Sequence, residues 1–291
     1  MTRAALPLYS RTAHAAAAQV IGRYSTSFAL ATRLLPAAAR GRIRDVYALV
    51  RVADEIVDGP AEEAGLGRDE RRAALDALER ETLAALDTGF SANVVVHAFA
   101  TTARVVGIGD DLVRPFFASM RRDVDPVVAL DDAEYRAYVH GSAEVVGLMC
   151  LRVFLHAHPV HDGQLPVLEE GARRLGAAFQ KINFLRDIAD DQDRLGRSYL
   201  PASGPGGLDE HAKARALAEI DADLAAARRG IALLPPGARR ATGAAADLFG
   251  DLAERLRRIP ADRLRARRVS VPAPRKLRIL AGAALRRRWE S

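Results

Sequence analysis

An all-α fold is what this 291-residue sequence predicts, and three observations carry the prediction. Long stretches repeat apolar residues at helical spacing, with almost no alternation of the strand kind. Alanine, the best helix former, is abundant, whereas aromatic residues make up only 5% of the chain. Hydrophobic content of 49% against 27% charged residues describes a folded chain with enough apolar material for a sizeable core.

The elements follow in order. Residues 10–23 read as a first helix, ending at the short polar stretch Tyr24–Phe28. Pro36 suits the first position of a helix that runs to Gly59. Residues 60–68 form a loop and 69–88 a charged amphipathic helix. Helices at 91–107 and 110–122 are split by the turn signal Gly107-Ile108-Gly109-Asp110. Asp131 or Asp132 caps the next helix, with Glu134 completing a capping box, and that helix reaches about His156. Residues 156–166 form a loop; its three histidines lack the Cys or carboxylate spacing of a zinc site. A long helix begins near Pro166 and ends around Arg194, followed by a Gly/Pro-rich connection, 198–210, of flap-like length. Helices at 208–232, 236–258 and 273–288 complete the chain.

The net charge is +6, carried almost entirely by arginine. That balance fits an anionic partner: nucleic acid, an anionic membrane or a phosphorylated substrate. The nucleic-acid reading rests on charge alone, with no recognised motif or interleaved aromatics, and no nucleic-acid partner is expected. The single cysteine, Cys150, excludes an internal disulfide framework and points to a reducing, cytoplasmic compartment. It lies in an apolar run and reads as a buried structural thiol. The N-terminus lacks a convincing signal-peptide core, and no apolar run approaches the ~20 residues of a transmembrane helix. The chain is therefore expected to be soluble and at most peripheral, at the inner face of the cell membrane. The segment 274–289 sets apolar residues between cations at near-helical spacing, which suits an anionic bilayer or a final helix packed on the domain.

Two acidic helix faces carry the chemistry. At 100° per residue, Gln180, Asn183, Asp187 and Asp191 fall within an arc of roughly 80°, so two amides and two carboxylates occupy one face. Asp190 and Asp193 lie off it and are expected to be solvated. Tyr47, Arg51, Asp54 and Asp58 fall within roughly 60° on an earlier helix. Carboxylates at i and i+4 repel, and the compensating partner is a hard divalent cation such as Mg²⁺, which takes oxygen ligands and bridges to phosphates. Two such helices face to face make a cage for a diphosphate and two or three metal ions. Arg51, Arg186, Arg197, Tyr47, Tyr199, Ser25 and Ser27 are candidate donors to the phosphate oxygens. The small residues Gly141, Ala143 and Gly147 leave volume in an apolar wall for a long hydrocarbon.

Y-S-T-S-F at 24–28, Y-x-x-x-R-x-x-D-E-x-V-D at 47–58, Q-x-x-N-x-x-R-D-x-x-x-D at 180–191 and G-R-S-Y-L-P at 196–201 resemble the squalene/phytoene synthase family, in its order and spacing. The resemblance implies a single isoprenoid-synthase domain over 1–291, a helical bundle with a central cavity, its catalytic core about 20–260 and a basic C-terminal helix about 273–288. It implies head-to-head joining of two allylic diphosphates through a cyclopropylcarbinyl diphosphate. Asp54, Asp58, Asp187 and Asp191, with Asn183, would hold Mg²⁺ (Mn²⁺ being a possible substitute). Ser25, Ser27, Phe28, Tyr47, Arg51, Gln180, Asn183, Arg186 and Tyr199 would bind or steer the substrates, and Arg268 is a weaker match to a phosphate-reaching position. Tyr138 joins the aspartates in the catalytic set.

One departure concerns the final proton. His140 and Glu144 replace a tyrosine and a glycine of many members, so Glu144 is either a base in an apolar wall or the partner of an arginine. Thr32, small and one turn beyond Phe28, implies a C20 rather than a C15 tail, hence geranylgeranyl diphosphate and 15-cis-phytoene. The alternative is a C30 squalene or dehydrosqualene synthase, NADPH being required only for squalene. A non-catalytic relative is the reading from another class, disfavoured because all four aspartates are present.

Overall fold

The computed structural model describes residues 5–125, 130–188, 199, 208–264 and 269–285. The helices form in chain order: α1 (Ala5–Tyr24), α2 (Thr26–Thr32), α3 (Ala37–Val57), α4 (Pro60–Glu63), α5 (Arg68–Thr88), α6 (Val94–Val106), α7 (Asp110–Val124), α8 (Asp132–Val139), α9 (Val145–Leu155), α10 (Leu165–Arg186), α11 (Glu210–Leu233), α12 (Pro236–Arg257) and α13 (Ala273–Leu285). Among the described residues there is no strand. The all-α expectation holds.

Local chemistry sets the boundaries. Asn93 and Asp131 accept backbone N–H bonds at the starts of α6 and α8, and Glu134 returns the capping box to Asp131. Gly89 and Gly107 end α5 and α6 in the left-handed conformation (φ 77° and 78°) that glycine adopts without strain. Several boundaries differ from the sequence reading: α1 begins at Ala5 rather than residue 10, and Pro60–Glu63, read as loop, is helical. The stretch after Tyr24 is helical, because Ser25 caps α2 through a bond from the Phe28 N–H. The long helix stops at Arg186 rather than Arg194: Asp187 leaves the helical basin as its C-cap (φ −102°, ψ 11°).

Two apolar clusters flank the centre. Leu49, Leu75, Phe99, Phe116 and Met149 join α3, α5, α6, α7 and α9; Ile182, Leu185, Ile220 and Leu256 join α10, α11 and α12. Each such side chain contributes about 1.5–3 kcal/mol on burial. The helical run 132–155 is long and apolar enough to cross a membrane by length and composition, which the sequence reading had not credited. It is a core element, packed against α3, α7 and α10.

Within that run, residues His140–Glu144 widen into one turn of π-helix, and the Val145 N–H reaches back five residues to the His140 carbonyl. π-turns free a carbonyl and re-aim neighbouring side chains. Here Ser119 donates its hydroxyl to the Tyr138 carbonyl at 3.2 Å. A Cβ on Gly141 would sit 2.2 Å from the Pro115 carbonyl oxygen and from Ser119 Oγ, and one on Gly147 would sit 2.4 Å from the Ala172 carbonyl. Both glycines therefore allow close helix approach; Gly147, with Ala143, also lines the cavity as the sequence reading expects, whereas Gly141 does not. Gly141→Ala is expected to destabilise the fold by about 1–3 kcal/mol, as overpacking does; an unchanged midpoint in urea denaturation would refute this contact.

Candidate active site

One cavity of about 570 Å³ lies between the two clusters, walled by α2, α3, α7 to α12 and the π-turn. Its mouth is polar. Tyr47, Arg51, Asp54 and Asp58 face it from α3, Gln180, Asn183, Arg186 and Asp187 from α10, and Asp123, Tyr138 and Tyr199 from a third side. Past Phe28 and Thr32 the wall turns apolar, down to Leu168, Ile231 and Leu234.

Helix ends explain the electrostatics. Asp58 is the C-cap of α3 and Asp187 the C-cap of α10, where the helix dipole already places negative charge. Carboxylates belong at N-termini, so both are set against the field. Burial and then repulsion from Asp58 push the Asp54 carboxyl well above the usual carboxylate range, with Asp123 adding to the effect.

The cations at the mouth are held in place. Arg51 lies 3.9 Å from Asp54, forms an ion pair with Glu55 and stacks over the Tyr24 ring at 4.6 Å. Burial works against its charge, but Asp54 and Glu55 outweigh that and hold the guanidinium pKa above its ordinary value. Arg186 grips Asp187 with two N–H groups, one at 2.9 Å. Burial raises the Tyr47 phenol, against the lowering effect of Arg51.

The donor set fits a hard cation. Asn183 Oδ1 is buried at the mouth with no hydrogen-bond partner, an acceptor left for a cation. Asp54, Asp58 and Asp187 share the same cavity. Among the described residues no three acidic, His or Cys side chains are gathered as a finished metal site. The expected fourth carboxylate, Asp191, lies outside the described residues, as do Asp190, Asp193, Arg197, Arg268 and the Ser27 side chain.

Two expectations need correction. Ser25 does not line the cavity; its hydroxyl caps α2 and bonds to Tyr47, so it reaches the site only through that phenol. Glu144 also lies off the cavity wall and pairs with His140 Nδ1 at 2.9 Å, neither a base in the apolar wall nor an arginine partner. Cys150 lines the cavity, and burial pushes its thiol up to about 12, leaving it protonated. The histidines at 156, 158 and 161 are all exposed.

The sequence reading missed Asp123. Both its oxygens accept phenolic hydrogen bonds, from Tyr138 at 2.8 Å and Tyr199 at 2.7 Å. A signal existed: Phe116, Met120 and Asp123 recur on the apolar face of α7, where an acid is out of place. The stacked pair Phe179–Phe249, centroids 3.8 Å apart with Phe28 edge-on to both, was missed too.

The sequence profile of squalene/phytoene synthase matches residues 21–204. The chain belongs to the squalene/phytoene synthase family. This family member is 33% identical over 265 residues to a 15-cis-phytoene synthase of Paracoccus sp., covering 82% of this chain and 81% of that protein. It is 29% identical over 274 residues to a Mycobacterium tuberculosis phytoene synthase, covering 88% and 85%. A presqualene diphosphate synthase of Zymomonas mobilis matches at 31% over 185 residues, 63% of this chain and 59% of that protein. The fold matches a ligand-bound dehydrosqualene synthase with a TM-score of 0.73 at 20% identity, covering 96% and 98% of the two chains.

Proposed function

We propose that this chain joins two geranylgeranyl diphosphates head to head, through prephytoene diphosphate, to 15-cis-phytoene in carotenoid biosynthesis. Cavity depth carries the reading. Ile43 and Asp58 both line the cavity and lie about 22 Å apart along α3, and Leu168 and Asp187 about 28 Å apart along α10. An extended C20 tail spans roughly 18 Å and a C15 tail roughly 13 Å, at about 1.2 Å per main-chain bond. The longer tail fits below the polar mouth, and Thr32, small and buried, leaves its path open.

Mg²⁺ held by Asp54, Asp58, Asp187 and Asn183 would neutralise the departing diphosphate. The chain's own groups do the rest. Arg51 and Arg186 orient phosphate oxygens, and the apolar wall excludes water from the allylic cation. Purified protein with Mg²⁺ and C20 diphosphate should yield a C40 hydrocarbon by mass. A C30 product from C15 diphosphate, with no C40, would favour the second reading, a presqualene- or squalene-type synthase, for which the Zymomonas mobilis relative speaks.

A peripheral membrane position is part of the proposal. α13 exposes Leu277 and Leu285 beside Lys276 and Arg278, while Arg275 ties the helix to Asp251 at 2.7 Å. Such a helix suits an anionic bilayer that takes up a greasy product. The double variant Leu277→Asp/Leu285→Asp should lose co-sedimentation with anionic liposomes; equal pelleting of both proteins would reject this surface.

A further inference from the structure

Arg51 has a third contact besides its two carboxylates. Its guanidinium carbon stands 4.6 Å from the centroid of the Tyr24 ring, inside the ~6 Å reach of a cation–π contact. Arg51 lines the cavity and Tyr24 does not. The ring, 52% exposed, therefore backs the guanidinium from outside the cavity. Tyr24 is the last residue of α1, and α1 is fastened to the bundle along its length. The Tyr9 hydroxyl donates to the Ser91 and Ala92 carbonyls at 3.0 and 2.8 Å. The Ser10 hydroxyl bonds to the His97 ring at 2.9 Å, and the His14 ring to Asp45 at 2.9 Å. Ala13, Ala17 and Ile21 are buried on the same helix. The Tyr24 ring is thus mounted on a docked helix, which holds a side chain more firmly than a loop does.

We propose that Tyr24 is a positioning residue that stacks on Arg51 and so holds its guanidinium at the cavity mouth, in place to receive diphosphate. This rests on the prenyl-diphosphate reading of the site. An unrestrained arginine has many rotamers to lose on binding, and the ion pair with Glu55 draws Arg51 along α3 rather than toward a ligand. A ring against one face fixes the guanidinium plane and occupies no N–H donor, because those donors lie in the plane. The entropy of ordering the side chain is then lost on folding instead of on binding.

The test reads Arg51 with and without a ligand. Tyr24→Leu and Tyr24→Phe are titrated calorimetrically with inorganic diphosphate in the presence of Mg²⁺, then assayed with C20 diphosphate. Tyr24→Leu should weaken diphosphate affinity by about 2- to 5-fold, the worth of a cation–π contact at an exposed site, and raise KM by a similar factor with kcat little changed. Tyr24→Phe, which keeps the ring, should match wild type. In an Arg51→Gln background, Tyr24→Leu should cost nothing further, since the ring then has no cation to hold. Without ligand, the same variants are compared by NMR in protein carrying isotope-labelled arginine. The Arg51 Nε–H signal, recognised by its loss in Arg51→Gln, should shift in Tyr24→Leu as the ring current disappears and stay in place in Tyr24→Phe.

Equal losses of affinity in Tyr24→Phe and Tyr24→Leu would overturn the proposal, because the hydroxyl and not the ring would then act. The same loss in the Arg51→Gln background would overturn it too, making Tyr24 a diphosphate contact in its own right, as would a Tyr24→Leu affinity indistinguishable from wild type. An Arg51 signal unmoved by Tyr24→Leu would remove the stacking itself. A wild-type protein that binds no diphosphate, or couples no prenyl substrate, would fail the functional reading instead, while the Arg51 signal still reports whether Tyr24 holds the guanidinium.

Discussion

Asp54→Asn should stabilise the metal-free protein and remove most of its turnover. The Asp54 carboxyl is raised well above its ordinary range by burial and by Asp58, so its folded pKa exceeds its unfolded one. The stability it contributes is then fully present below the unfolded value and is lost as pH rises through the folded value. Asparagine abolishes that loss. The variant should melt roughly 2–4 °C higher at neutral pH, the shift that about 1 kcal/mol produces in a chain of this size, and the gain should vanish in acid. Turnover should fall by at least ~10²-fold, because several kcal/mol of charge stabilisation go with the ligand. Mg²⁺ must also displace the Asp54 proton, so its affinity should weaken as pH drops. Thermal scans in chelator across pH, beside single-turnover assays, check both halves. An inactive variant that melts lower would make Asp54 a structural residue.

Thr32→Phe should shorten the product. Thr32 is 4% exposed and lines the cavity one turn below Phe28, and its hydroxyl is occupied by the Ala29 carbonyl at 2.9 Å. A phenyl ring there enters the path of the C20 tail while leaving the mouth untouched. Overpacking of about 1–3 kcal/mol predicts a drop of roughly 5- to 150-fold in C40 formation, with C15 diphosphate turned over comparatively well. Competition between C15 and C20 substrates, read by product mass, measures the ratio. Unaltered C40 yield would place the limiting wall elsewhere, for instance at the Phe179–Phe249 stack.

Much of the site was legible because helical spacing is local. Asp54 and Asp58 share a face four residues apart wherever α3 ends, and their meeting with Asp187 at one mouth followed from the second acidic motif. What was not legible depends on tertiary contact. The sequence wheel carried the second acidic face unbroken to Asp191, whereas Asp187 is a C-cap. Ser25 bears a motif hydroxyl, but that hydroxyl is engaged by the Phe28 N–H. Gly141 reads as room for substrate in the sequence, but the Pro115 carbonyl and Ser119 stand against it and it lies off the cavity. Asp123 lies 76 residues from Tyr199, and no local period connects them. The π-turn at 140–144 has no sequence mark beyond Gly141.

The central claim is that the acidic ends of α3 and α10 hold metal and diphosphate over an apolar shaft. Crystals grown with Mn²⁺ and a thio-diphosphate analogue of the C20 substrate test it most directly, by anomalous scattering at the metal. The account predicts metal peaks ligated by Asp54 or Asp58 and by Asp187 and Asn183, diphosphate oxygens on Arg51 and Arg186, and a tail passing Thr32. Metal peaks away from these side chains, or a tail lying outside the cavity, would contradict it.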